Sequence, residues 1–209
     1  SSRTREHWKG IFSAHPWLSG PADSYLGFSA RGGGATGEHS HAINIWQHFA
    51  HIANAGRVSE VSATLDMVKQ NGADYDQLAL LTLKTEHGLV GDVIQDVVTQ
   101  PAEKSARLQG SGGFVEWRVN HLPGHDAVFS GQTNDSVQEE LIEKKRPDDF
   151  KAEIDHLARV LNGEVSQSPI SLERGLDTMM VIAAAFKSHN LGRRVKINWN
   201  AGYVPEALL

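Results

Sequence analysis

The sequence contains no cysteine. This excludes disulfides, thiolate metal sites and a cysteine nucleophile, and it fits a reducing compartment. An excess of positive charge is also missing. Lys and Arg total 20 against 25 Asp and Glu, for a formal net charge of −5. Nothing here attracts the phosphates of a nucleic acid or an anionic membrane, so neither is an expected partner. No apolar run approaches the roughly 18 residues of a membrane span. The opening residues, Ser1 to Trp8, lack the apolar stretch of a secretion signal. A cytoplasmic protein is the expectation. Neither a Gly-x-Ser-x-Gly nucleophile elbow nor a phosphate-binding P-loop occurs. The run Gly32-Gly33-Gly34 is read as lacking the Gly-x-Gly-x-x-Gly pattern, and no parallel strand–helix–strand unit precedes it, so no dinucleotide fingerprint is expected.

What is present is an ordinary globular composition, with 40% hydrophobic and 22% charged residues in 209. No internal repeat or domain boundary stands out, and residues 1–209 are expected to form one domain. Residues 1–30 hold Trp8, Phe12, Trp17, Tyr25 and Phe28 among prolines and glycines. They read as a long loop or short edge segments, lining a site or plugging the core.

The period then becomes helical. Ala42, Ile45, Trp46, Phe49 and Ala53 give one apolar stripe, while His41, Asn44, His48 and His51 repeat on another face. The helix spans about 41–54. Glu38 lies just ahead of it, where a helix N-terminus favours a carboxylate.

Beyond Gly56 the period becomes two. Val61, Ala63, Leu65 and Met67 alternate with polar residues, and Asn71-Gly72 signals a hairpin turn. Further strands are expected at 78–85, 89–99, 104–109, 115–119, 126–130 and 136–143. Short connections make this an antiparallel meander. Two helices follow: one with Phe150, Ile154, Leu157 and Leu161 on its apolar side, and one with Leu172, Leu176, Met179, Met180, Ala183 and Phe186. Val195 to Ile197 closes the sheet. The fold class is α+β, a large, mostly antiparallel sheet covered by helices on one face.

Three stretches together resemble the C-terminal domain of the Gfo/Idh/MocA family of NAD(P)-dependent oxidoreductases. The first is Gly32-Gly33-Gly34, Glu38, Ser40-His41 and Asn44, in the order in which the family carries its glycines, a carboxylate, Ser-His and an acidic position. Here Asn44 stands at the acidic position, and Glu38 and His41 are three apart where many members have four. The second runs from Gly91-Asp92-Val93-Ile94-Gln95-Asp96 through Lys104 to Gly110. The third runs from Ser168-Pro169 to Gly192-Arg193-Arg194-Val195.

The resemblance implies the substrate-binding and oligomerising part of an enzyme that moves hydride between NAD or NADP and a hydroxyl carbon of a sugar or cyclitol. The family's dinucleotide-binding half and its Glu-Lys-Pro motif precede this region, and neither is among these residues. The cofactor would therefore be bound mainly elsewhere, and this chain alone would be inactive. His41 is the expected proton acceptor, with Glu38 orienting it; His39 and His48 are its rivals. Trp17 and Tyr25 are candidates for stacking on a sugar ring. Arg31 and Asn44 are further candidate substrate ligands. A homo-oligomer is expected through the open sheet face, using Leu78, Leu80, Leu81, Leu83, Val93, Ile94, Val97 and Val98. Two alternatives compete. One is a metal enzyme built on Glu38, His39 and His41 with His48; the other is a non-catalytic interaction domain.

Overall fold

A computed structural model describes residues 1–209. It divides into two compact units, Ser1–Ala106 with Leu176–Leu209, and Arg107–Gly175. Nine strands, mostly antiparallel, and five α-helices make the α+β class.

The first unit contains β1 (Ser2–Arg5), α1 (Trp8–Ala14), α2 (Gly34–Glu38), α3 (His41–Ile52), β2 (Val58–Gln70), β3 (Ala73–Thr85) and β4 (Val90–Asp96). It also holds the start of β5 (Glu103–Gly110). Its strand order is β5-β1-β4-β3-β2. The expected meander is broken at one place. Ser2–Arg5 enters between β4 and β5, parallel to β4 and antiparallel to β5. Four polar residues carry no period-two hydrophobic signal, which is why the segment reads as loop. What holds it is burial of Ser2 and Thr4 and a hydrogen bond from the Ser2 hydroxyl to the Ala42 carbonyl at 2.6 Å. The rest of residues 1–30 is also more ordered than a loop. His7 accepts the Lys9 amide proton at 2.9 Å and starts α1, which ends before Pro16.

One face of this sheet carries Val61, Leu65, Ala79, Leu81, Leu83 and Val93. Against it pack Ile43, Trp46 and Ala50 of α3 and Val181, Ala184 and Ala185 of the final helix α5 (Leu172–Leu191). Asn71 and Gly72 adopt φ of 51° and 82°, as the two-residue hairpin turn between β2 and β3 requires. A bulge interrupts that pair: Asp66 opposes Leu78, but Met67 opposes Asp76. It takes Met67 out of the inward stripe expected from alternation, to 42% exposure. Next to it Tyr75 and Asp76 are buried in succession. A short strand β9 (Val195–Lys196) pairs with Glu60 and Val61 of β2.

The second unit contains the end of β5, then β6 (Gly113–Leu122), β7 (His125–Gln132), β8 (Gln138–Glu143) and α4 (Asp148–Leu161). Its strands lie in the order β5-β6-β7-β8, with β7 antiparallel to both β6 and β8. Charge and aromatic contacts hold it more than a core does. Arg107 lies over the Phe114 ring and Arg118 over Phe129, while Glu116 accepts from both arginines at 2.9 and 2.6 Å. The α4 pattern was legible, yet α4 buries no residue. Phe150, Ile154, Leu157 and Leu161 are all exposed, Leu161 at 87%.

Candidate functional site

The glycine loop of the first unit is shaped by close backbone approach. A side chain on Gly33 would collide with the Tyr25 and Leu26 carbonyls, and one on Gly34, at φ 76°, with the Asp76 carboxylate and the Ser29 hydroxyl. Beneath it lies Asp76, fully buried. Its carboxylate accepts from the Ser29 hydroxyl at 2.7 Å, the Thr36 amide at 2.7 Å and the Thr36 hydroxyl at 2.6 Å. Burial raises its pKa above the usual aspartate range, against the opposing effect of those hydrogen bonds. Gln95, also fully buried, ties the two helices of the site together. Its side-chain oxygen accepts the Ile43 amide at 3.2 Å, and its nitrogen donates to the Ala35 and Thr36 carbonyls at 3.0 and 3.3 Å. Because Ser40 supplies no side-chain cap to α3, Gln95 satisfies one of that helix's free amides.

On this frame Glu38 is the last residue of α2, with His39 and Ser40 between it and α3. Its carboxylate accepts the Tyr25 hydroxyl proton at 2.8 Å. That hydrogen bond raises the tyrosine's pKa, with burial and the carboxylate charge adding to it. So two expected site residues meet, and the partner given to Glu38 is Tyr25, not His41. His41 is exposed at the first position of α3. Asn44, one turn on, donates to the Thr178 hydroxyl at 3.3 Å, which also receives Gln47 at 2.9 Å.

The other histidines separate from it. His39 is only 5% exposed, with Nε2 3.4 Å from the Glu6 carbonyl. Burial lowers its pKa and the nearby Lys104 charge adds to this, outweighing the Glu6 hydrogen bond. A buried histidine turned to a backbone carbonyl is poorly placed to exchange protons with a substrate. It also leaves the Glu38/His39/His41 metal reading without a site, since no group of three such residues gathers to hold an ion. His48 is half-buried, its ring 6.3 Å from that of Phe49.

Arg31 is exposed with its guanidinium 4.3 Å over the Phe28 ring. It borders an open cleft of about 670 Å³ with Ser29, Met67, Asp74, Phe186 and Asn190. Trp17 is 73% exposed and meets His15 edge-on at 5.1 Å. Neither is hydrogen-bonded to the Tyr25–Glu38 pair.

Gly32, Gly34 and Gly37 do fall at Gly-x-Gly-x-x-Gly spacing. Gly32 caps a 3₁₀ turn at Ser29–Arg31, however, and Gly34 and Gly37 lie within the five-residue α2. The strand, the long helix and the parallel unit of a dinucleotide cradle are absent around them. The residues here therefore do not fit the dinucleotide. Asp76, Gln95 and Thr178 were not anticipated as site residues. The available signal was a polar residue inside an apolar strand run, as with Gln95 between Ile94 and Val97.

A family model described as "Oxidoreductase family, C-terminal alpha/beta domain" matches residues 22–197. No curated protein sequence matches the chain. Solved structures do. An aldose-aldose oxidoreductase from Caulobacter crescentus, complexed with glycerol, has 17% identity and a TM-score of 0.69, covering 94% of this chain and 55% of that one. A levoglucosan dehydrogenase in complex with NADH and levoglucosan has 15% identity and a TM-score of 0.69, covering 93% and 57%. An inositol dehydrogenase homolog from Azotobacter vinelandii, complexed with NADH and myo-inositol, has 16% identity and a TM-score of 0.62, covering 93% and 55%. At these identities the likeness concerns the fold, and the chain spans little more than half the length of these relatives. Family model and fold agree: the chain belongs to the Gfo/Idh/MocA oxidoreductase family, whose C-terminal α/β domain it carries.

Proposed function

We propose that this chain is the substrate-binding part of an oxidoreductase that moves hydride between NAD(P) and a hydroxyl carbon of a sugar or cyclitol. The observation that carries the reading is the hydrogen-bonded Tyr25–Glu38 pair, three residues ahead of the exposed His41, in a domain of this family. A polyol needs neighbouring donors and acceptors, and a hydroxyl that becomes a carbonyl must lose its proton. Glu38 accepts, and Tyr25 both accepts and donates. Asn44, steadied on Thr178, offers an amide. His41 takes the hydroxyl proton as general base, a role worth typically about 10²–10⁴-fold. The redox chemistry is that of NAD(P), which on this reading is held by residues other than these.

The reading includes self-association through the sheet face opposite α3 and α5. That face is less apolar than the sequence implied. Leu81, Leu83, Val93 and Val97 turn inward, while Leu80 and Val98 stay exposed at 42% and 47%. No helix is long and apolar enough to cross a membrane.

The test is a titration of the isotopically labelled chain with myo-inositol and glucose, followed by amide NMR. Saturable shifts confined to Tyr25, Glu38, His41 and Asn44 are expected. Saturable shifts centred elsewhere, or none with any polyol, would overturn the reading.

A further inference from the structure

We propose that β8 is a self-complementary edge that pairs antiparallel with β8 of a second copy of this chain. In the sheet order β8 stands last, bonded to β7 on one side only. All six of its residues are exposed, and Leu141 and Ile142 keep 46% and 44% of their surface. An open edge of this kind presents a row of backbone donors and acceptors that another strand can use. Edges of monomeric proteins are blunted by charge, and β8 is charged. The pattern of its charges points to a partner instead.

The stretch reads Gln138-Glu139-Glu140-Leu141-Ile142-Glu143-Lys144-Lys145-Arg146. In an antiparallel pair, facing residues must either both point their backbone groups across or both point them away. A two-fold axis relating two copies therefore passes through a residue, not between two. Placed at Ile142, it sets Leu141 against Glu143 within β8, and Glu140 against Lys144 and Glu139 against Lys145 where the chain continues past the strand's end at Glu143. Symmetry doubles each pair, and Ile142 meets its own copy. Shifting the axis to Leu141 sets Glu139 against Glu143, a like-charge pair on both sides. Shifting it to Glu143 sets Glu143 against its own copy, a like-charge pair on the axis itself. Of the three registers, the one centred on Ile142 alone opposes no like charges.

Within a single chain Lys145 pairs with Glu143 at 2.8 Å, His121 with Glu139 at 3.3 Å, and Lys144 with Asp126 at 3.5 Å. The first two are solvent-accessible and exchange partners at little cost. Asp126 is buried, so Lys144 leaves it only at the cost of a partly desolvated charge contact. The surface differs from the open face of the first unit's sheet, so the two can be tested separately.

The experiment uses the absence of cysteine. Residues opposed across an antiparallel pair have Cα atoms about 4.5–5.5 Å apart, within disulfide range. Ile142→Cys is therefore expected to form a covalent dimer under mild oxidation. Val137→Cys, comparably exposed at 57%, stays monomeric because its own copy lies far along the pair. In a parallel arm, Glu139→Lys/Glu140→Lys and Lys144→Glu/Lys145→Glu each raise the dimer dissociation constant at least about tenfold in sedimentation. An equimolar mixture of the two restores association. The proposal is overturned if Val137→Cys crosslinks as readily as Ile142→Cys, or if either charge variant self-associates like the parent. It is equally overturned if the mixture stays monomeric.

Discussion

The carboxylate of Asp76 takes both the backbone amide proton and the hydroxyl proton of Thr36, at 2.7 and 2.6 Å. One buried side chain thereby fixes where the glycine loop turns into α2, and so where Glu38 sits. Asp76→Ala is expected to leave the Thr36 amide without its acceptor and to cost about 1–3 kcal/mol in denaturant unfolding. Amide exchange at Thr36 would quicken more than in the β3 core. Unchanged stability and unchanged exchange would show that the loop holds itself.

The same group has a pH signature of known sign. Burial raises the folded pKa of Asp76 above the ordinary value of 3.8. Its contribution to stability is fully present below 3.8 and is lost as pH rises through the folded value. Asp96 runs the other way. Burial pushes it up, but hydrogen bonds from Arg5, Thr99 and Val98 outweigh this and bring it below 3.8. Its contribution is present above 3.8 and is lost as pH falls through its folded value. The Thr36 amide shift should therefore titrate with a midpoint above 3.8, and the Thr99 amide with one below it. Reversal of that order by NMR would contradict both assignments.

Stability should discriminate the two apolar helix faces. Ile43→Ala, at a fully buried position, is expected to cost about 2–5 kcal/mol. Leu161→Lys, at 87% exposure, should stay within about 0.5 kcal/mol. Equal losses in urea titration would place the α4 face in a core.

These contrasts show what was legible. Periodicity located α3, α4, α5 and most strands, because 3.6- and 2-residue repeats follow from which face is buried. It did not locate β1, whose Ser-Arg-Thr-Arg carries no apolar repeat and whose place depends on backbone bonds to distant strands. It also could not tell that α4 finds no core, since an apolar stripe states a need and not its satisfaction. At the site, the glycines, Glu38, His41 and Tyr25 were visible as residue types. The Tyr25–Glu38 bond and the Asp76 and Gln95 supports join residues 13 to 60 positions apart, which no local pattern encodes.

The site residues do not fit a dinucleotide, so the 209-residue chain should show no saturable binding of NAD or NADP at micromolar concentration. Calorimetry measures this directly. A micromolar dissociation constant would reveal a cradle among these residues.

The most direct test of the account is turnover against pH, with NAD(P) and a polyol, for an oxidoreductase carrying this domain with a nucleotide-binding half. His41→Ala should lower turnover by about 10²-fold or more and remove the pH dependence near neutrality. His48→Ala should do much less. A His41→Ala enzyme with unchanged turnover and pH profile would contradict the assignment of His41 as the proton acceptor.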